Sequence, residues 1–486
     1  MTTQTQVQTL PILIGGEFRT ARSGETIDAL NPATGEVIAR FPRCGAEDVA
    51  DAVAAAGAAF DGWRHTTPLE RAQRVLRLAE LIAEHGEELA RLDVAENGSP
   101  IREMRNDVNI AVGTLRYFAG VALELRGDTI PGESGRVNYT LMQPFGVVGR
   151  IIPFNHPMMF AASKMAAPLI AGNTVILKPS EHTSTSTLRL AELVNEAFPP
   201  GVVNVVTGYG EEAGDALVTH PDVRRIAFTG SAELGRRIQR RAAEHVVKTV
   251  SLELGGKNPI VIFPDADVEQ AIDGALRGMA FTWQGQSCGS TSRLLVHESL
   301  HDRFVERLAE RMDGLRSGPP EDEATDTGAI VHRRQFEKVM SYLKLGRDEG
   351  FPVLTGGGPP PDPQLARGMF VRPTLFDRVA PDSRLAQEEI FGPVLAAITF
   401  DTYERALEIA NGVSLGLTAS VYTSDLATAH RFARDVEAGY VWVNDAQKHF
   451  PAAPYGGFKD SGVGREEGIE ELFSYAQIKN VNVRFG

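Results

Sequence analysis

The sequence predicts an α/β protein containing two mostly parallel, doubly wound sheets. Three observations carry this. The chain has 486 residues, about three times a common single-domain length, so more than one core is expected. From Gly146 onward, short apolar runs alternate with helical stretches. A second alternating set begins after Gly255-Gly256. A βαβ rhythm of this kind builds parallel sheets covered by helices.

Taken in order, Ile12-Leu13-Ile14-Gly15-Gly16-Glu17-Phe18 reads as a strand and tight turn opening a small β ribbon. Residues 46–62 are alanine-rich and helical. Pro68 to Glu96 follows a Thr67-Pro68 start signal and puts Leu69, Ala72, Val75, Leu76, Ala79 and Ile82 on one face, predicting one long helix. A further helical run covers 101–125. Val147–Ile152, Thr174–Leu177, Val202–Val206, Arg225–Phe228 and Val247–Leu252 are the strands of the first set, with helices at 157–171, 184–198, 211–219 and 232–244 between them. The second set has strands at Pro259–Ile262, Arg293–Val296, Leu395–Phe400, Ala419–Tyr422 and Tyr440–Val443. Its helices fall at 267–281, 299–313, 332–349, 402–410 and 425–435. The Gly356–Pro363 stretch is a rigid surface loop, and no solenoid repeat is present.

Composition narrows the function. Hydrophobic residues make up 43% and charged residues 23%, the balance of a soluble globular protein. Acidic residues outnumber basic ones, 63 to 49, for a net charge of −14, the wrong sign for nucleic acid or an anionic membrane. The basic cluster Arg236–Arg241 reads as a solvated helix face. Only Cys44 and Cys288 are present, which fits a reducing compartment. Met1–Leu10 has neither basic residues nor an apolar run, so a targeting peptide is not indicated. The apolar stretch Met158–Leu177 contains Lys164, Pro168, Gly172 and Asn173, and reads as buried helix, turn and strand. A cytoplasmic protein with no metal site, no nucleic-acid partner and no membrane span is expected.

Several residues could carry chemistry. A lone cysteine is most often a small buried hydrophobe, and Cys44 takes that reading. Cys288 stands in Gly285-Gln286-Ser287-Cys288-Gly289-Ser290, whose small flanks allow a reactant to reach the sulfur. Glu253 ends an apolar strand, where burial would make it a better base; a structural ion pair is the alternative. Asn155 precedes His156-Pro157 at a strand end, as a turn residue or as an amide aimed at an oxyanion. Lys178-Pro179-Ser180-Glu181 ends a buried strand, where open α/β sheets hold ligands and where ribose hydroxyls could be gripped. Phe228-Thr229-Gly230-Ser231 runs from strand into helix and suits a phosphate.

Together these motifs resemble the aldehyde dehydrogenase superfamily. The matching pieces, in order, are Pro144-Phe145-Gly146-Val147-Val148, Pro153-Phe154-Asn155, Lys178-Pro179-Ser180-Glu181, Phe228-Thr229-Gly230-Ser231, Glu253-Leu254-Gly255-Gly256, Gly285-Gln286-Ser287-Cys288, Glu388-Glu389-Ile390-Phe391-Gly392-Pro393 and Pro454-Tyr455-Gly456-Gly457-Phe458-Lys459. With the Asn31–Gly35 turn they span nearly the whole chain.

The resemblance implies two Rossmann-like α/β domains and a small β oligomerisation arm. Residues 1–125 and 146–254 would bind NAD, 255–460 would be catalytic, and 126–145 with 461–486 would form the arm and C-terminal strand of a homodimer or homotetramer. By position, Cys288 would be the nucleophile and Glu253 the general base. Asn155 and the Cys288 N–H would form the oxyanion hole, and Lys164 would match a proton-relay lysine. Lys178 and Glu181 would hold the adenosine ribose, Ser231 the pyrophosphate, and Glu389 the nicotinamide ribose beside Phe391. Ile151, Pro153, Phe154, Ser180, Gly210, Phe228, Thr229, Gly230, Leu254 and Gly255 would line the rest of the cofactor cleft. Phe154 departs from the tryptophan of many relatives, which removes an indole donor near the phosphates.

The substrate tunnel would involve His156, Phe160, Ser163, Ser287, Gly289, His449, Phe450 and Tyr455. It has no tryptophan cage, and no arginine stands at Ala162 or Ser163, so a neutral aldehyde, aliphatic or aromatic, is favoured. NAD is favoured over NADP because Glu181 would oppose a 2′-phosphate. A CoA-acylating dehydrogenase is disfavoured by Glu253. A cysteine hydrolase using His297 or His332 leaves Glu181, Ser231 and Glu389 without a role. A binding or structural relative that lost activity is disfavoured by the joint presence of Cys288, Glu253 and Asn155.

Overall fold

The computed structural model describes residues 7–485; most of Met1–Leu10, read above for targeting signals, lies outside the described residues, as does Gly486. Two large sheets form the body. The first has eight strands in the order Glu17–Arg19, Ile12–Ile14, Val203–Val205, Thr174–Lys178, Val147–Ile151, Val223–Thr229, Thr249–Glu253, Gly462–Val463. Its five central strands are parallel. All five residues of Thr174–Lys178 are buried, as expected for a strand covered by helices on both faces. The order reverses between Val147–Ile151 and Val223–Thr229, so a crevice opens beyond their carboxyl ends. That is where open α/β sheets bind ligands.

The second sheet has seven strands: Val353–Thr355, Thr374–Phe376, Val394–Phe400, Arg293–His297, Pro259–Ile262, Thr418–Tyr422, Tyr440–Val443. All neighbours are parallel except the first pair. Arg293 is fully buried and donates to the carbonyls of Lys257, Ile409 and Ala410 at 2.7, 2.6 and 2.7 Å, which ties the sheet to the end of helix Tyr403–Asn411. A separate three-stranded sheet joins Thr129–Ile130, Arg136–Pro144 and Ala476–Arg484. Ala476 to Arg484 pairs residue by residue with Pro144 to Arg136.

The sequence reading departs from the structure at specific places. The expected single helix over 68–96 is two, Pro68–Glu84 and Gly86–Asn97, broken at His85. The first starts on a reciprocal Thr67–Glu70 capping pair. The second ends on Gly98 at φ 84°, where an added Cβ would come within 2.7 Å of Pro32 and 2.8 Å of the Ala329 carbonyl. The break lets Asp93 and Glu96 cap two other helices, accepting from the Met158 N–H at 3.1 Å and the Thr185 N–H at 2.7 Å. Burial pushes these carboxyls up to about 8 and about 7. A hairpin of Thr26–Leu30 with Val37–Pro42, the short edge strand Val353–Thr355 and its short neighbour Thr374–Phe376 were not anticipated. None of the helices among the described residues is long and apolar enough to cross a membrane.

Candidate active site

Cys288 lies on a loop forced into shape by its neighbours. Ala280 and Gln284 are non-glycine residues at φ 55° and 54°, and at Gly285 an added Cβ would meet the Gly392 carbonyl at 2.3 Å. Such left-handed positions persist only where the surroundings over-determine them. Here a buried amide chain does so. The Ser99 hydroxyl donates to Gln284 Oε1 at 3.1 Å, Gln286 Nε2 donates to the same oxygen at 3.1 Å, and the Val331 N–H donates to Gln286 Oε1 at 3.2 Å. Asn97 Nδ2 meanwhile donates to the Phe154 carbonyl at 2.7 Å. The segment carrying Asn155 is thus tied to the loop carrying Cys288, and Asn155 Nδ2 donates to the Gln286 carbonyl at 2.9 Å. Asn258 Nδ2 holds the Cys288 carbonyl at 2.7 Å. The thiol lies 3.7 Å from the Tyr455 hydroxyl. Burial pushes it up to about 12, opposed by the Tyr455 contact and reinforced by the Glu389 and Glu253 charges.

Glu253 ends the strand Thr249–Glu253 and is 6% exposed. Neither carboxyl oxygen has a hydrogen-bond partner among the described residues. Burial first, then the Glu466 charge, raises it well above the ordinary carboxylate range. At Gly456 an added Cβ would lie 2.8 Å from Glu253 Oε1, so only glycine leaves room for this carboxyl. Behind it lies a buried ion cluster. Arg150 Nη1 donates to Glu466 at 2.9 Å and to the Tyr475 hydroxyl at 2.7 Å, while Lys164 Nζ pairs with the other Glu466 oxygen. Burial opposes ionisation of Glu466, but Lys164 and Arg150 outweigh it and hold its carboxyl near 2. Burial would lower Lys164, but Glu466 raises it above the ordinary lysine value. Lys164 is therefore a paired cation in this structure.

The candidate cofactor residues line the crevice beyond the first sheet. Lys178 is buried, donates to the Pro179 carbonyl at 3.0 Å, and is lowered by burial against the Glu181 charge. Glu181 is half-buried, and the Ser180 hydroxyl accepts from the His182 N–H at 3.2 Å. Ser231 caps helix Ala232–Ala242 through the Leu234 N–H. Gly230 donates to the Glu253 carbonyl at 3.0 Å and lies so close to the Phe228 ring that an added Cβ would meet it at 2.3 Å. Glu389 Oε1 accepts from the Gly256 N–H at 3.0 Å, and an added Cβ at Gly255 would meet Glu389 Oε2 at 2.1 Å. The Phe154 ring packs edge-on against His332, Phe391 and His182 at 5.4, 5.7 and 6.4 Å. Ile151, Pro153 and Thr229 are half-buried, Leu254 and Gly255 buried, and Gly210 exposed at the far end. Strand ends, glycine-bared backbone and ribose-length carboxylates fit a dinucleotide.

Of the candidate substrate residues, Phe160 is 9% exposed, and Ser163 is buried one turn further along helix Pro157–Ile170. Gly289 faces the Tyr455 hydroxyl, and Ser287 is half-buried. His449 stacks against Tyr455 at 4.7 Å and pairs with Glu467 at 2.9 Å. Burial alone would lower His449; Glu467 outweighs it and raises it. Phe450, 49% exposed, lies at the rim. Sequence reasoning missed the amide chain of Asn97, Gln284 and Gln286, the Glu466 cluster, and Asp107, whose Oδ2 meets His156 Nδ1 at 2.8 Å. The only signals were the polar residues inside apolar surroundings, in Gly464-Arg465-Glu466-Glu467-Gly468 and around Gln284.

A half-buried thiol, a neutral amide and an unpartnered carboxyl therefore stand beside the crevice at the strand ends of an open α/β sheet, the setting of a dinucleotide-dependent oxidoreductase. The model of the aldehyde dehydrogenase family matches residues 18–481, and the chain belongs to that family of oxidoreductases. Among curated relatives, aldehyde dehydrogenase tropH of Talaromyces stipitatus is 44% identical over 478 residues, covering 97% of this chain and 92% of its own. An NAD+ complex of aldehyde dehydrogenase from Bacillus cereus superposes with a TM-score of 0.95 at 42% identity, covering 98% and 97% of the two chains. PnpE from Pseudomonas sp. WBC-3 in complex with nicotinamide adenine dinucleotide has a TM-score of 0.96 at 42% identity, with 98% of each chain covered.

With the thiol held near 12, alkylation of Cys288 by iodoacetamide in the free protein should be slow at pH 7 and accelerate about tenfold per pH unit, because the thiolate is the nucleophile. Cys44, pushed up to about 11 and fully buried, should react more slowly still. Peptide mass spectrometry after timed alkylation reads both. Fast, pH-independent labelling of Cys288 would contradict the electrostatics above.

Proposed function

We propose that the protein oxidises a neutral aldehyde to its carboxylic acid with NAD through covalent intermediates on Cys288. The observation supporting this most directly is that the Asn155 amide reaches the carbonyl two residues before Cys288 while the partnerless Glu253 carboxyl lies within Coulomb reach of the thiol. The thiol adds to the aldehyde carbon, its proton passing to a base, and the carbonyl oxygen becomes an oxyanion. Asn155 Nδ2, now on the Gln286 carbonyl, and the Cys288 N–H are the donors for that oxygen. Asparagine suits the task because it stays neutral, and losing one such donor costs roughly 2.7–4 kcal/mol of barrier. Bound NAD supplies the two-electron acceptor for the hydride that leaves the tetrahedral carbon. The acyl group is then a thioester on Cys288. Glu253, once ionised, is a strong base for its raised affinity for protons; it takes a proton from water, and the hydroxide frees the acid and restores the thiol. Lys164, the counterpart of the proton-relay lysine, is held as a cation by Glu466, so in this reading it acts on Glu253 through its charge, favouring the ionised carboxylate.

In this reading Lys178 and Glu181 hold the adenosine ribose, Ser231 and the Gly230 backbone the pyrophosphate, and Glu389 with Phe391 the nicotinamide ribose. The residues 1–125 and 146–254 then serve as cofactor domain and 255–460 as catalytic domain. The strand Ala476–Arg484 has one free edge, Ile478 on it is 72% exposed, and Tyr440–Val443 also lies on the edge of its sheet. Two such edges on one chain suit pairing between copies, so a homodimer or homotetramer is the proposed assembly.

Glu253→Gln tests the division of labour. The amide cannot accept the water proton, so a stoichiometric burst of reduced cofactor should be followed by turnover at least about a hundredfold slower than in the unmodified protein. Stopped-flow absorbance reads it, and steady turnover without slowing would remove Glu253 from hydrolysis. Cofactor choice has its own test. A 2′-phosphate beside Glu181 meets repulsion of about 4 kcal/mol per charge pair at 4 Å in a surface-like dielectric, nearly a thousandfold. The kcat/KM ratio of NAD to NADP should be high and should fall in Glu181→Ser; an NADP preference at the outset would refute the assignment. For assembly, sedimentation equilibrium should report a dimer or tetramer and Ile478→Asp should weaken it; a monomeric unmodified protein disposes of the idea.

A further inference from the structure

Near the nucleophile stands a second polar constellation, for which the reaction just described has no use. His156 follows Asn155 directly and opens helix Pro157–Ile170. Its Nδ1 lies 2.8 Å from Asp107 Oδ2, on helix Ile101–Gly120. Asp107 is completely buried, and its second oxygen has no hydrogen-bond partner among the described residues. The His156 side chain is 12% exposed, and its Nε2 makes no hydrogen bond to the described residues. The ring is held between Phe160 at 5.4 Å and Trp283 at 5.6 Å, the latter on the nucleophile's own loop. Trp283 Nε1 is also buried without a partner. Glu103, one turn before Asp107, faces the same group, is raised by burial, and hydrogen-bonds Thr282.

Buried polar atoms without partners are uncommon in native proteins, and leaving one unsatisfied costs roughly 1–3 kcal/mol. Two separate elements bring such atoms here, Asp107 from one helix and Trp283 from the loop, and His156 adds a half-buried Nε2 from a third. An ion pair serving stability would not need the free Nε2. In the neutral ring, a carboxylate fixed on Nδ1 holds the proton there and leaves Nε2 with a lone pair. That is a hydrogen-bond acceptor set between two aromatic faces.

We propose that the His156–Asp107 pair reads a hydroxyl group on the substrate, and that the preferred substrates are uncharged aryl aldehydes bearing a hydroxyl. This rests on the aldehyde-oxidising reading above and adds the substrate class to it. The Phe160 and Trp283 rings that pack on the imidazole give its surroundings an aromatic lining suited to an aryl group, and His156 Nε2 accepts the hydroxyl proton. Asp107 and Glu103 set a negative potential that disfavours a carboxylate in the same place. A site built to bond a hydroxyl discriminates strongly against an analogue lacking one, because its own polar groups are then left unpaired. His156 is therefore a specificity-determining residue and Asp107 the residue that positions it.

The test compares kcat/KM for 3- and 4-hydroxybenzaldehyde with that for the corresponding methoxybenzaldehydes, benzaldehyde and 4-carboxybenzaldehyde, with NAD, by quantifying the acid formed. Methoxy keeps the acceptor oxygen but replaces the proton with a methyl group, and benzaldehyde removes both oxygen and proton without added bulk. The unmodified protein should favour the better hydroxy isomer over its methoxy counterpart by at least about tenfold, the scale of one buried hydrogen bond. His156→Phe should bring that ratio to within about threefold of one. His156→Gln, which keeps an acceptor oxygen, should restore part of it, and Asp107→Asn should lower it. Comparing each ratio with the unmodified protein's cancels intrinsic differences in aldehyde reactivity and any general loss of stability. A ratio near one in the unmodified protein for both isomers overturns the proposal, as does an undiminished ratio in His156→Phe. Oxidation of benzaldehyde with no hydroxyl preference sinks this inference alone; no oxidation of any aldehyde sinks the parent reading and this one with it.

Discussion

The arrangement around the nucleophile depends on one buried ion cluster. Glu466 is held from two sides, by Arg150 in the middle of the first sheet and by Lys164 on the following helix. Both cations are within a few per cent of complete burial, and removing one partner would leave an uncompensated charge, typically a loss of about 3–5 kcal/mol. What the cluster secures is position. Glu466 exchanges backbone hydrogen bonds of 2.8 and 2.7 Å with Tyr455, whose hydroxyl touches the Cys288 thiol. A few residues earlier, Ser461 accepts from the Leu254 N–H at 2.9 Å, and Gly462 pairs with Glu253. The C-terminal segment is thereby stitched to both the base strand and the tyrosine. Burial is what chiefly raises Glu253, and within the cluster Glu466 adds to it while Lys164 opposes it.

A second constraint is backbone strain. Ala280, Gln284, Phe391, Gln447 and Glu467 all adopt positive φ without being glycine. They flank the Cys288 loop, the Glu389 carboxylate and the pair of His449 with Glu467. Each costs energy that the rest of the fold must offset, and their concentration around one centre matches a region where geometry is fixed at the expense of local comfort.

Much of the fold was legible because its signals are local. Val175-Ile176-Leu177 is a continuous apolar run bounded by turn residues, and burial on both faces leaves that mark in the sequence. The helix break at His85 was marked only by Gly86, which a helix can tolerate, and the reason for it is distant: Asp93 and Glu96 must reach the starts of two other helices. The short strands Val353–Thr355 and Thr374–Phe376 carry too few residues to show a period. In the candidate site, Cys288, Glu253 and Asn155 stood out through their motifs. Arg150, Glu466 and Tyr475 did not, since their meaning lies in contacts across about three hundred positions of chain, 316 for Arg150 with Glu466. Asp107 looked like an ordinary helix residue until His156 was found against it.

The placement of the two cysteines has a consequence for chemical durability. Cys44 is wholly enclosed, its sulfur 3.9 Å from the Thr207 hydroxyl, whereas Cys288 must stay reachable to small molecules. A sulfenic acid formed at Cys288 by peroxide would find no second thiol within the chain to condense with, because Cys44 cannot emerge without opening the core around it. The usual internal disulfide that halts oxidation at a reversible stage is therefore absent from this architecture. Rescue would have to come from a small external thiol that reaches the half-buried sulfur, so the raised thiol of Cys288, poor in thiolate, is its main protection against a first oxidation.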